Sequence, residues 1–127
     1  MKFAKYVFGI AGIYGILVLA PMFFLLEKTG RDYPPAITHP EYYYGFVGLA
    51  LAFQLAFLTI AIDPIRFRPI MIAAIVEKFS FAIAVAVLFA QSRIQGPILI
   101  GAAIDLLLSI LFLVSYFVTP SWEHAGE

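Results

Sequence analysis

The chain contains no cysteine. That excludes disulfides, thiolate nucleophiles, iron–sulfur ligation and dithiol relays of the quinone-linked kind. Charge is scarce as well: 13% of the 127 residues are charged, against about 25% in soluble domains. Eight basic and eight acidic residues balance without a block of either sign, so nothing marks nucleic acid as a partner. His39 and His124 are the two histidines, and both fall outside the long apolar runs. A bis-histidine haem inside a helix is thereby disfavoured. His39-Pro40-Glu41 offers two ligands where a metal site needs three or four, so no metal site is expected. No serine has a histidine within reach of its helix, which leaves a Ser–His hydrolase unsupported. Glu27-Lys28-Thr29-Gly30 lacks the glycine-rich start of a phosphate loop. No motif specifies a cofactor.

Hydrophobic residues make up 63% of the chain, and the mean hydropathy is +0.97. A soluble fold of this size could not bury so much apolar surface, so lipid acts as the solvent. Four apolar runs cover roughly residues 3–26, 43–62, 70–90 and 98–118. Each approaches or exceeds the ~20 residues that cross a ~30 Å hydrocarbon core. Only helices and closed barrels satisfy every backbone group in lipid, and the runs are apolar without alternation. The expectation is an all-α, four-helix transmembrane bundle, one domain over 1–127, with both termini on one face. Lys2, Lys5 and Val18-Leu19-Ala20 resemble a cleaved signal peptide. The run nevertheless continues past Pro21 to Leu26, which predicts a retained helix.

Prolines mark the ends of the runs. Asp63-Pro64 and Pro69 bracket a tight turn, Gly96-Pro97 precedes the fourth run, and Thr119-Pro120 ends it. Pro21 is expected to kink or fray the end of the first helix. The two later connections are short, which predicts antiparallel packing of the second, third and fourth helices. The longer connection from Glu27 to Tyr42 reads as irregular because of its three prolines and one glycine. Tyr33 and Tyr42–Tyr44 on that face, with Tyr6, Phe67, Tyr116 and Trp122 on the other, form two interfacial aromatic belts. Lys2, Lys5, Arg66 and Arg68 on the terminal face outnumber Lys28, Arg31 and Arg93, which places the termini in the cytoplasm of a cell with the chain in its cytoplasmic membrane. Small residues at four-residue spacing (Gly48, Ala52, Ala56 and Ala82, Ala86, Ala90), with Gly9, Gly12 and Gly15, are expected to line helix–helix contacts.

Gln54, Glu77, Lys78 and Asp105 lie deep in the apolar runs. Insertion scales charge about 2.5–3.5 kcal/mol for Asp or Lys at a helix centre, so each needs a partner or a neutral form. At ~1.5 Å per residue, Glu77 lies about 12 Å in from the terminal face and Asp105 about 12 Å in from the opposite one. Gly101, Asp105 and Ser109 share one stripe of the fourth helix; Ala73, Glu77, Ser80 and Ala84 share one of the third. Both stripes are expected to face inward and to join Gln54 in one polar pocket. Lys78 has two readings: an ion pair with a carboxylate, or a stem that snorkels toward Arg66 and Arg68. The cluster of Gln54, Glu77, Lys78, Asp105 and Ser109 either binds a proton, cation or polar headgroup, or holds the helices in register.

Tyr44-Gly45-Phe46-Val47-Gly48-Leu49-Ala50, Asp63-Pro64-Ile65-Arg66-Phe67-Arg68-Pro69 and Glu77-Lys78-Phe79-Ser80 give the chain its family likeness. Through them it resembles the DoxX-like group of small four-helix bacterial membrane proteins. The arginine usual in the first helix of that group has no counterpart between Lys5 and Lys28. The resemblance implies the four-helix membrane fold and no particular activity. The leading functional expectation is a non-enzymatic accessory or lipid-interacting protein, or a subunit of a larger membrane complex. Its partners would be the bilayer, other membrane subunits or a second copy. The alternatives are a carrier of a proton, ion or small hydrophobic solute using Glu77 and Asp105, and a membrane enzyme acting on a lipid or quinone with the same carboxylates as acid and base.

Overall fold

The computed structural model describes residues 2–94 and 96–124. Met1, Gln95 and residues 125–127 lie outside them. The chain forms α1 (Lys2–Leu19), a 3₁₀ segment (Ala20–Phe24), α2 (Leu26–Asp32), α3 (Pro40–Ile62), α4 (Ile70–Ala90), α5 (Ile98–Val118) and a terminal 3₁₀ turn (Trp122–His124). Among the described residues, four spans are long and apolar enough to cross a bilayer: Lys2–Phe24, α3, α4 and Ile98–His124. The protein is an all-α, multi-pass membrane bundle.

Pro21 has the effect its position predicts. The α-helix ends at Leu19, and the chain tightens into a 3₁₀ segment with Pro21 in its first turn. The long connection differs from the irregular segment expected, because α2 occupies its first half. Glu27 lies in the first turn of α2, Arg31 in the last, and Lys28 pairs with Asp32 one turn on. These placements suit the helix dipole and i,i+4 pairing. The second span starts at Pro40, three residues before the predicted 43, since a proline at the helix start extends it beyond the apolar run.

The four long helices pack around four main seams. α1 lies along α3, and α4 lies along α5; α1–α5 and α3–α4 are the lighter seams. The two tight seams form for different reasons. On α1, Gly12 and Gly15 let α3 approach closely: a Cβ on Gly12 would meet the Leu58 side chain at 2.9 Å and the Gln54 carbonyl oxygen at 3.0 Å. A Cβ on Gly15 would overlap the Gln54 side-chain amide. α4 and α5 are joined by a short turn and by the ion cluster described below.

The core lies toward the terminal face. Phe8 stacks on Phe112 with ring centroids 4.2 Å apart, and Phe57 meets Phe112 edge-on at 5.0 Å, so α1, α3 and α5 converge there. Ala4, Ala11, Ile60, Met71 and Ala74 complete the cluster. The α3–α4 turn is clasped to the end of α5 by Arg68. Its Nε donates to the Tyr116 carbonyl at 2.9 Å, and its guanidinium lies 3.8 Å over the Tyr116 ring.

Two packing expectations fail. Ala52, Ala86 and Ala90 are exposed, so the alanine ladders of α3 and α4 face outward over much of their length. On α4 the inward stripe is Met71, Ala74, Lys78, Ala82 and Val85; Ala73, Ser80 and Ala84 are exposed. Both spans are apolar on every side, and small residues facing lipid look the same in sequence as small residues facing a helix.

Candidate functional site

Lys78 lies on the inward stripe of α4, with 7% of its surface exposed. An ammonium so placed in lipid requires counter-charges. Its Nζ donates to Asp105 Oδ1 of α5 at 3.4 Å and lies 3.8 Å from Glu77 Oε2 of its own helix. The Phe57 ring of α3 closes the third side, 5.5 Å from Nζ, with its negative face available to the cation. Lys78 therefore pairs with two carboxylates and does not snorkel to the surface.

Helix geometry explains the arrangement. Glu77 is one residue and about 100° round from Lys78, which moves it from the inward stripe to the α3–α4 side. Asp105 comes from the facing helix at matching depth. The three residues carry two negative charges and one positive. The compensation is uneven: Asp105 accepts a hydrogen bond from Lys78, whereas Glu77 Oε2 is buried without one among the described residues.

Beside the cluster, the lighter α3–α4 seam opens into a groove of about 330 Å³. Phe46, Leu49, Ala50 and Phe53 form its α3 wall; Glu77, Ser80, Phe81 and Ala84 form its α4 wall. Glu77 thus borders both the ion cluster and a lipid-facing recess. The Ser80 hydroxyl donates to the Glu77 carbonyl at 2.9 Å, leaving its oxygen lone pairs as acceptors at the groove.

The structure brings together Glu77, Lys78 and Asp105, and the other two predicted members direct their side-chain hydrogen bonds to backbone carbonyls. Gln54 is 1% exposed, but its amide packs on Gly15 at the α1–α3 seam; Nε2 donates to the Ala50 carbonyl at 2.9 Å, and Oε1 has no hydrogen-bond partner among the described residues. Ser109 is buried on the Asp105 side of α5, yet its hydroxyl donates to the Asp105 backbone carbonyl and not to the carboxylate. One shared polar pocket of five residues is thereby replaced by a three-residue ion cluster and two local backbone contacts. His39 and Glu41 meet at 3.0 Å on the exposed start of α3. Sequence reasoning missed Phe57 and the groove aromatics Phe46, Phe53 and Phe81. The i,i+7 and i,i+4 spacing of Phe46, Phe53 and Phe57 on α3 was the available signal, hidden in a helix apolar on most of its surface.

Compared with protein-family models, with curated proteins and with solved structures, the chain matches none.

Proposed function

We propose that this is a non-enzymatic, lipid-interacting membrane protein whose α3–α4 groove takes up an amphipathic molecule from the bilayer. One observation carries the reading: the groove opens on the lipid side of the bundle yet has a carboxylate and a hydroxyl set among three aromatic rings. A seam that only packs helices in lipid uses small residues and neutral hydrogen-bonding side chains, and a carboxylate is not among them. A few polar groups in an apolar recess are the usual make-up of a small-molecule site. The likeness to DoxX-like proteins belongs to the same proposal and rests on the stretches quoted above.

Native mass spectrometry of the full chain, released from nanodiscs, tests this reading. The expected result is a bound lipid-phase molecule that Ala84→Trp displaces by filling the groove. A chain that emerges bare, or an adduct indifferent to Ala84→Trp, sinks the reading.

A second reading, a carrier of a proton or ion, is favoured by the charge count: two carboxylates share one ammonium, leaving one negative charge for a mobile counter-ion. Orientation is part of the proposal too, with the termini on the cytoplasmic face of the cytoplasmic membrane, on the four-against-three excess of basic residues. Single cysteines replacing Lys2 and His39 in this cysteine-free chain check it. Labelling of the His39 cysteine from outside intact cells, with the Lys2 cysteine protected, is expected; the reverse pattern inverts the orientation.

A further inference from the structure

We propose that the α3–α4 groove selects an amphipathic monocation, an organic ammonium with an apolar tail, and that Glu77 is its counter-ion. The proposal rests on the reading of the groove as a lipid-phase binding site and names the class of molecule it takes. Among the described residues, the charged side chains in the middle of the spans are Glu77, Lys78 and Asp105, and their formal sum is one negative charge. Lys78 stands 3.4 Å from Asp105 with a hydrogen bond, and 3.8 Å from Glu77 without one. Glu77 is therefore the less compensated of the two carboxylates, and it is the one that lines the groove.

The rest of the lining fits the same ligand. Phe46, Phe53 and Phe81 present rings, whose faces attract cations. The Ser80 oxygen can accept from an N–H donor. Leu49, Ala50 and Ala84 offer an apolar wall for a tail that continues into lipid. An anion would face a carboxylate that Lys78 compensates only in part, and a neutral molecule would add nothing to that compensation. A bare metal cation fits poorly too, because the lining supplies oxygen from only Glu77 and Ser80 side chains where a hard cation takes about six or more.

The test uses the full chain in phosphatidylcholine nanodiscs and three probes of equal tail length: dodecylammonium, dodecanol and dodecyl sulfate. Native mass spectrometry is expected to show the cation retained about tenfold more than the alcohol, the factor for one charged contact in a partly dry site. The sulfate should be retained least. Glu77→Gln should bring the cation down to the level of the alcohol while leaving the alcohol unchanged. Glu77→Asp keeps the charge and should keep the preference; equal retention of cation and alcohol by that variant counts against the proposal even where Glu77→Gln does not fold. Equal retention by the wild-type chain overturns the choice of a cation and leaves the groove reading standing. Retention of no probe, or retention unchanged in Ala84→Trp, overturns both.

Discussion

Lys78 illustrates how much of a site a single residue can reveal. Its depth in an apolar run was legible, and so was its need for a partner. Whether it pairs or snorkels depends on which way α4 faces, and a helix with hydrophobic residues all round does not state that. The outcome, one ammonium held between Glu77 and Asp105, makes Lys78 the residue whose loss should hurt most. Lys78→Met leaves two carboxylates with no counter-ion and should destabilise the bundle by roughly 3 kcal/mol or more. Adding Glu77→Gln and Asp105→Asn removes both charges and should restore the melting temperature to wild type or above, because neutral replacements avoid the desolvation of ions. Thermal unfolding in one detergent measures all of these, and an unchanged melting profile for Lys78→Met would show that the cluster carries no stabilising role.

At the level of the helices, length was readable and orientation was not. The requirement of ~20 apolar residues per span locates α3, α4 and α5 to within a few residues. Proline explains the 3₁₀ end of the first span and the early start of α3. The faces were misread where they depended on alanine, as at Ala52 and Ala86, and read correctly where they depended on Gly12 and Gly15. The difference is physical: an alanine can face lipid or a helix at equal cost, whereas a glycine carries a conformational penalty that close packing offsets. Gly12→Val should accordingly separate α1 from α3 and cost about 1–3 kcal/mol. Ala52→Leu, on an exposed position, should change stability by less than about 0.5 kcal/mol. Comparable losses for the two variants would mean that α1 does not seat on its glycine face. The surroundings of Gln54 were misread for a related reason, since nothing in its own helix shows that its amide would meet Gly15 of α1 and not the ions of α4 and α5.

Taken as a whole, the bundle is two tight pairs, α1 with α3 and α4 with α5, joined by lighter seams. All three mid-span charges belong to the second pair. This division bears on how the chain enters the membrane during synthesis. α4 carries Glu77 and Lys78 together, and released alone it would expose both to lipid with only each other, at 3.8 Å and without a hydrogen bond. Asp105 arrives with α5 and supplies the missing acceptor. The first pair can therefore leave the insertion machinery helix by helix, while α4 waits for α5 and departs with it as a hairpin. A nascent chain arrested after Arg93 should hold α4 at the translocon, where site-specific crosslinking will detect it, and extension through Thr119 should release it. Replacing both Glu77 and Lys78 by leucine should remove the delay; a delay that persists in that variant would place its cause outside the ion cluster.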